Sequence, residues 1–340
     1  MPQQNYANPR GRIEVIDIDS DALADNLLGD PRSRSVAVYV PAEVSDPVPL
    51  LVDIVGFTGS GFAHTGWKAF AESVPQRVDR LIDEGLMGPV VVAFPDCFTA
   101  LGGNQYINSA AMGRWADFLT LDMLPAIEAQ FPVKTGREHR GLFGKSSGGY
   151  GAIIHGMLHA EHWGAVACHS GDMDFDLCYR GDFAETVMAV SSHPEGLGGY
   201  IRSLHEGRKV SGSQMHQLMM LAMAATYDPD PKVPYGVRLP VTLDTCELIE
   251  ERWANWLAWD PVRLVTRDDV KANLASLKGL YIDCGRHDQY NLVFGARQLT
   301  RQLAAAGISF EYQEFDDNHS SIDYRMDESL PHLYRYLTGE

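Results

Sequence analysis

The sequence predicts an α/β fold with a mostly parallel central sheet and helices on both of its faces. Dense apolar runs at 50–55, 89–94 and 164–170 are typical of buried strands, and helix-like segments separate them. The same alternation resumes after residue 263. Strands that alternate with helices indicate βαβ units and a parallel sheet. With 340 residues, of which 45% are hydrophobic, the chain can bury a large core, and we expect residues 1–340 to form a single domain.

The first strands have a different pattern. Residues 12–19 and 35–40 alternate polar and apolar side chains, which predicts half-exposed antiparallel strands near a sheet edge. Between the buried strands, residues 67–84 and 114–130 have the spacing of helices.

The carboxyl-terminal part predicts two further strands, each followed by a helix. The strands are expected at 280–285 and 309–315. The first helix covers 292–306 and ends at Gly307, and the second covers 322–337.

Residues 172–262 interrupt this pattern, because they are helix-like and contain no convincing strand. Such a segment is too long for an ordinary connection, so we expect a helical insertion that carries its own structure or acts as a lid. Four methionines at helical spacing predict core packing in preference to an acyl pocket: Met215, Met219, Met220 and Met223.

Charge and composition exclude several functions. The net charge is −17, from 45 acidic and 28 basic residues, and no basic run is present. Nucleic acids and anionic membrane surfaces both require a basic footprint, so neither is expected as a partner. The polar N-terminus does not resemble a signal peptide, and no window approaches 18 apolar residues, which predicts a cytoplasmic protein. The sequence does not specify the oligomeric state, and a homodimer is compatible with it.

The five cysteines favour neither disulfides nor zinc. Their number is odd, their spacing is scattered, and no C-x-x-C motif occurs. Cys168 and Cys284 lie in apolar runs, where a thiol behaves as a small buried hydrophobic group.

Residues 144–148, with the sequence G-K-S-S-G, fit the G-x-S-x-G nucleophile elbow. This motif requires a strand before the serine and a helix after it, and residues 141–143 and 150–158 have those patterns. Ser146 is therefore the predicted nucleophile, in preference to a Gly/Ser turn without chemistry.

A serine hydroxyl requires a general base, and the base requires an orienting acid. Asp288 and His319 follow the last two predicted strands, at the carboxyl ends where open α/β sheets place their sites. The order Ser146, Asp288, His319 is the chain order of the α/β-hydrolase triad. We therefore expect His319 to be the base and Asp288 the acid.

Several neighbouring residues compete for these roles. His287 adjoins Asp288, Asp316 and Asp317 precede His319, and Asp283 is expected to form a core hydrogen bond within its strand. Three histidines on or near the helix after the elbow are expected to be structural: His155, His159 and His162.

The oxyanion hole of such a site uses backbone N–H groups. We expect them from Ser147, directly after the nucleophile, and from Phe57 in the loop after strand 50–55, with Thr58 as the alternative. Lys145 does not have the S-x-x-K spacing of a Ser–Lys dyad.

No metal or cofactor is expected. Alternating carboxylates at Asp172, Asp174 and Asp176 suggest calcium, but the glycine and glutamate of an EF-hand loop are absent. We interpret them as a feature of the site's rim.

The chain resembles the "Putative esterase" family of α/β-hydrolases, which includes S-formylglutathione hydrolase, enterochelin esterase, feruloyl and acetylxylan esterases and mycolyltransferases. The matching positions are 56–58, 144–151, Asp288 and His319, and the resemblance covers roughly 35–170 and 263–340. It implies the α/β-hydrolase fold, the triad of nucleophile, acid and base given above, and oxyanion donors at the backbone of Phe57 and Ser147.

These observations predict a cofactor-independent serine carboxylesterase that hydrolyses a small-molecule ester or thioester through an acyl-enzyme. An acyltransferase with an alcohol acceptor is the alternative, and a non-catalytic binding protein on the same scaffold is a third hypothesis. The insertion at 172–262 is longer and more helical than is usual in the family, so the substrate does not follow from the resemblance. We expect this insertion and the loop 102–109 to determine the substrate.

Overall fold

A computed structural model describes residues 3–339, and an eight-stranded sheet forms its centre. The strands follow the order β1-β2-β4-β3-β7-β8-β9-β10 across the sheet, while β5 and β6 form a separate two-stranded ribbon. Strands β1 and β2 are antiparallel to their neighbours, and the others pair in parallel, as predicted for the edge and the interior. The strands are β1 Arg12–Asp19, β2 Ser33–Val40, β3 Leu50–Ile54, β4 Val91–Pro95, β5 Asn108–Ser109, β6 Gly113–Arg114, β7 Arg140–Lys145, β8 Ala165–His169, β9 Gly279–Gly285 and β10 Glu311–Phe315.

Helices cover both faces of this sheet. Side chains alternate along the buried strands, so that Val91 and Ala93 join the larger apolar core, and Val92 and Phe94 join a smaller one beneath α2 and α14. The helices are α1 Phe62–Thr65, α2 Val74–Asp83, α3 Trp115–Asp117, α4 Leu124–Gln130, α5 Ser147–Leu158, α6 Phe175–Cys178, α7 Phe183–Ser191, α8 Gly196–Glu206, α9 Gly212–Tyr227, α10 Glu250–Leu257, α11 Pro261–Leu264, α12 Asp268–Ala275, α13 Leu292–Ala305 and α14 Met326–Thr338. Within residues 3–339, no helix has the length and apolar character needed to cross a membrane.

The structure corrects one predicted helix and refines two others. The helix predicted at 67–84 is wrong for its first turns, because α2 starts only at Val74. The side chain of Ser73 caps it in a reciprocal pair with Gln76, which fixes its first residue. The helical segment predicted at 114–130 contains a π-helical stretch, Phe118–Met123, and the last helix is preceded by a 3₁₀ turn at Asp323–Arg325.

The segment 172–262 is helical, as its sequence predicts, and in the described structure its strand-like pairing is one isolated bridge between Val241 and Leu248. Its helices α7, α8 and α9 contribute buried side chains to the same apolar core as the sheet. The single-domain organisation and the movement of this segment as a lid stay predictions.

Strand β7 turns sharply into helix α5 at Ser146. Its backbone has φ 58° and ψ −124°, a conformation that costs free energy for a residue with a side chain. The turn also brings Gly144 and Gly148 against strand β3, where a Cβ atom on either glycine would overlap the carbonyl oxygen of Ile54. Glycine is therefore required at both positions of the motif.

We predict that Gly148→Ala lowers the free energy of unfolding by about 1–3 kcal/mol, because the added methyl group must displace the backbone of β3. Gly181→Ala is the matched control, since open space surrounds a Cβ atom there, and it should change the free energy by less than about 0.5 kcal/mol. Urea denaturation measures both. Equal stability of the two variants would contradict the close approach of α5 and β3.

His155 of helix α5 is fully buried and structural, as its sequence context suggests. Its Nε2 lies 2.9 Å from the carbonyl oxygen of Tyr106, and its Nδ1 accepts a hydrogen bond of 3.0 Å from the indole N–H of Trp163. The neutral ring with its proton on Nε2 satisfies both contacts. Burial, reinforced by nearby His159, lowers the pKa of His155 from 6.5 to about 3.

This pKa predicts a loss of stability in acid. The unfolded chain binds a proton on His155 below about pH 6.5 while the folded chain does not, so the free energy of unfolding falls between pH 6.5 and 3, by up to about 1.4 kcal/mol per pH unit. His155→Gln should be less stable at pH 7 but lose less stability between pH 7 and 5. His287→Gln, at an exposed position, should show the same dependence of the free energy of unfolding on pH as the wild type.

Candidate active site

Ser146 lines a cavity of about 430 Å³, which also exposes His319. The cavity lies at the carboxyl ends of the parallel strands, because Ser146 follows β7 and His319 follows β10. Residues 172–262 supply part of its wall, including Tyr179 and His216. Ser146 and His319, which are 173 positions apart in the sequence, therefore line the same cavity.

The structure brings Asp288 and His319 into direct contact. Asp288 Oδ2 lies 2.7 Å from His319 Nδ1, and the aspartate side chain is fully buried. The other oxygen, Oδ1, accepts a hydrogen bond of 2.9 Å from the backbone N–H of Tyr290. The loop after β9 and the loop after β10 are also joined by a 3.0 Å hydrogen bond from the backbone N–H of His319 to Gln289 Oε1. An aspartate held in this way orients the imidazole with its proton on Nδ1 and leaves Nε2 as the acceptor.

Ser146 and His319 face the same cavity without a direct hydrogen bond in residues 3–339. Nucleophile–base hydrogen bonds are often long in the absence of substrate and shorten in the complex. The arrangement therefore places a serine hydroxyl, an imidazole and a carboxylate at one cavity, with the carboxylate and the imidazole in contact.

The competing residues have other partners. His287 and Asp316 lie 2.9 Å apart on the surface, with side chains 69% and 81% exposed, and they are absent from the cavity lining. Asp317 accepts a hydrogen bond from the hydroxyl of Tyr324. Asp283 lies in the core, as predicted for that strand residue, and it has three partners: His169 at 2.8 Å, Tyr281 at 3.1 Å and Arg325 at 2.9 Å.

Backbone N–H groups are available on two sides of Ser146. Ser147 is the first residue of helix α5, so its N–H has no intrahelical acceptor and lies at the positive end of the helix dipole. The loop after β3 passes close by, since a Cβ atom on Gly56 would lie 3.3 Å from Ser146 Cβ. In residues 3–339 the next N–H along, that of Phe57, donates to no protein acceptor.

Asp172 lines the cavity and is more buried than its predicted place on the rim implies. Its Oδ2 accepts hydrogen bonds from Tyr179 at 2.8 Å and from Gln105 at 3.2 Å, and Gln105 also donates to Ser147 Oγ at 2.9 Å. Burial raises the pKa of Asp172. By contrast, Asp174 and Asp176 bind side chains elsewhere, so the three carboxylates do not converge.

Sequence reasoning missed a group of charged residues at one side of the cavity. His64 Nδ1 lies 2.6 Å from Asp53 Oδ2, and the ammonium of Lys68 lies 2.7 Å from Asp323. Lys145, directly before the nucleophile, lines the same side. One signal was present in the sequence: Asp53 interrupts an apolar strand, and a buried carboxylate requires a partner.

The methionines of α9 divide between two environments. Met220 and Met223 are fully buried in the core, as the packing interpretation predicts, whereas Met215 and Met219 line the cavity. With Leu292 they form an apolar wall near Ser146. The prediction of core packing is therefore confirmed for Met220 and Met223, whereas Met215 and Met219 are partly buried against the same core and also line the cavity.

Comparisons with known proteins identify the family and the fold of this chain. The sequence model of the "Putative esterase" family matches residues 31–329. Among solved structures, a ferulic acid esterase superposes with a TM-score of 0.60 at 18% identity, covering 97% of this chain and 100% of that one. S-formylglutathione hydrolase from Agrobacterium tumefaciens gives 0.57 at 18% identity, covering 99% and 100%. The fluorophosphonate-binding serine hydrolase F of Staphylococcus aureus, FphF, gives 0.57 at 13%, covering 97% and 99%.

At these identities the solved structures show the fold alone, which is that of the α/β-hydrolases, as the sequence predicted. The family match goes further, because it spans most of the chain, from before β2 into α14. The chain therefore belongs to the "Putative esterase" family and is a carboxylic ester hydrolase.

Proposed function

We propose that this protein is a serine carboxylesterase that cleaves a small-molecule ester or thioester through an acyl-enzyme, with Ser146, His319 and Asp288 as its triad. The observation that carries the proposal is the 2.7 Å contact between buried Asp288 and His319, beside a cavity that also exposes a serine in a strained elbow. Membership of an esterase family supports the reaction class.

In the first half-reaction, Ser146 Oγ attacks the ester carbonyl carbon while His319 Nε2 takes the hydroxyl proton. The carbonyl oxygen becomes an oxyanion, to which the N–H groups of Phe57 and Ser147 donate. Asp288 holds the Nδ1 proton and stabilises the imidazolium. His319 then gives its proton to the departing alkoxide or thiolate, and an acyl group remains on Ser146.

In the second half-reaction, water replaces the alcohol. His319 takes a proton from water as the oxygen attacks the acyl carbon, and the proton returns to Ser146 Oγ when the acid leaves.

The buried pair of Asp172 and Gln105 supports this site indirectly, because Gln105 binds the side chain of Ser147 and so fixes the start of α5.

The cavity supports a small substrate. Its volume of about 430 Å³ suits an acyl or alcohol group of modest size, and its apolar wall of Met215, Met219 and Leu292 favours a hydrocarbon portion. Residues of the insertion provide two of these three side chains, so we assign substrate selection largely to that segment.

Ser146→Ala should lower kcat/KM for short p-nitrophenyl esters at least a thousandfold, because it removes the nucleophile. Labelling by a fluorophosphonate probe should disappear as well. Ser45→Ala, at an exposed serine, is the control and should retain both signals. Circular dichroism checks that both variants fold. Persistent turnover and labelling in the Ser146 variant would refute the assignment.

Asp288→Asn should lower kcat about 10³- to 10⁴-fold, because an asparagine no longer selects the Nδ1-protonated imidazole. Asp316→Asn is a matched control in the competing pair with His287 and should leave kcat within about twofold. Stopped-flow or steady-state hydrolysis of p-nitrophenyl acetate measures both changes. If Asp316→Asn lowered kcat more than Asp288→Asn did, Asp316 and His287 would replace Asp288 and His319 as the acid and the base.

A further inference from the structure

The cavity around Ser146 and a second cleft of about 1000 Å³ share part of their lining. Four residues line both spaces, and we call them the neck: Lys68, Lys145, Ser321 and Asp323. A substrate that reaches Ser146 can therefore contact the neck, because its residues line the same cavity. The polar neck contrasts with the apolar wall that Met215 and Met219 provide.

Lys145 is the unusual member of the neck. In residues 3–339 its ammonium group forms neither a hydrogen bond nor an ion pair with any side chain or carbonyl. It is nevertheless partly buried, and burial, with a contribution from neighbouring Lys68, lowers the pKa of Lys145. A partly desolvated cation without a partner costs free energy, and an anion placed beside it would recover that cost.

Of the two ammonium groups in the neck, that of Lys145 is the one without a hydrogen-bond acceptor among residues 3–339. Lys68 is paired with Asp323, whose pKa would rise on burial but is lowered because Lys68, His64 and Lys145 lie near it. His64 is hydrogen-bonded to buried Asp53 and so has a partner of its own. The groups that act on the charge of Lys145 are Asp323, Lys68 and, more weakly, Asp288. One free ammonium matches a ligand with a single negative charge.

We propose that the neck binds a carboxylate of the ester substrate, with Lys145 Nζ as its principal donor. The substrate class is then an ester that carries a free carboxylate on its acyl or alcohol part, a few bonds from the scissile carbonyl, since Lys145 adjoins the nucleophile. This assignment rests on the proposed esterase function of Ser146. A carboxylate monoanion matches the single ammonium of the neck that lacks a protein acceptor.

Two matched pairs of substrates test the proposal. For the acyl side, mono(4-nitrophenyl) adipate is compared with its methyl ester, and for the alcohol side, 3-acetoxybenzoate is compared with methyl 3-acetoxybenzoate. The variants are Lys145→Met, which keeps length without charge, and Lys145→Arg, which keeps the charge. Lys134→Met is the control, since Lys134 is exposed and precedes β7 at the opposite end of that strand from Ser146.

The wild type should favour the charged member of at least one pair. A charge-assisted hydrogen bond contributes about 1.5–3 kcal/mol, so Lys145→Met should lower the charged-to-neutral ratio of kcat/KM about 10- to 100-fold, mainly through KM. Lys145→Arg should restore most of the ratio, and Lys134→Met should match the wild type. Equal ratios in wild type and Lys145→Met would overturn the proposal even if both esters are hydrolysed.

Calorimetric measurement of binding tests the neck independently of ester hydrolysis. In a Ser146→Ala background, monomethyl adipate should bind at least tenfold more tightly than dimethyl adipate, and adding Lys145→Met should abolish that difference. If neutral esters are not hydrolysed and the fluorophosphonate probe does not label Ser146, the esterase proposal fails. The binding comparison still tests whether the neck binds a carboxylate. No preference for the monoanion in binding would refute the neck site by itself.

Discussion

The close contact between the turn at Ser146 and strand β3 is the constraint on which the site depends. Because Gly144 and Gly148 have no side chain, the end of β7 and the start of α5 can both lie against the carbonyl oxygen of Ile54. The strained backbone of Ser146 is held there by hydrogen bonds from its own N–H to His169 and from Tyr150 to its carbonyl. The same contact brings the loop after β3 beside the nucleophile, so the hydroxyl and the backbone donors are positioned by one packing arrangement.

The candidate site residues could be selected from the sequence because they follow from short local patterns. A glycine-rich turn and polar residues after two strands were sufficient to select Ser146, Asp288 and His319, and the structure places Asp288 and His319 in contact. The start of α2 could not be predicted so well, since residues 67–73 have helical spacing but a side-chain cap at Ser73 fixes the boundary. Sequence periodicity does not record where a side-chain cap forms.

Contacts between distant elements were beyond sequence reasoning for a different reason. The pairing of Lys68 with Asp323 joins residues 255 positions apart, and the linkage of Gln105 to Asp172 joins residues 67 apart. Neither pair belongs to a motif of fixed spacing, so only the folded arrangement shows that both lie at the cavity. Their common feature is burial of charge or polarity, which the sequence indicates only where a carboxylate interrupts an apolar strand, as at Asp53 and Asp283.

Helix α9 presents Met215 and Met219 to the cavity and buries Met220 and Met223 in the core. The proposed reacting groups, by contrast, all come from loops at the ends of the sheet strands. The proposed reacting groups and one apolar part of the pocket wall therefore lie in separate parts of the chain. Substitutions at the two cavity-facing methionines would alter that part of the wall while the buried pair keeps the helix anchored, which offers a route to a different ester preference that leaves the proposed reacting groups unchanged.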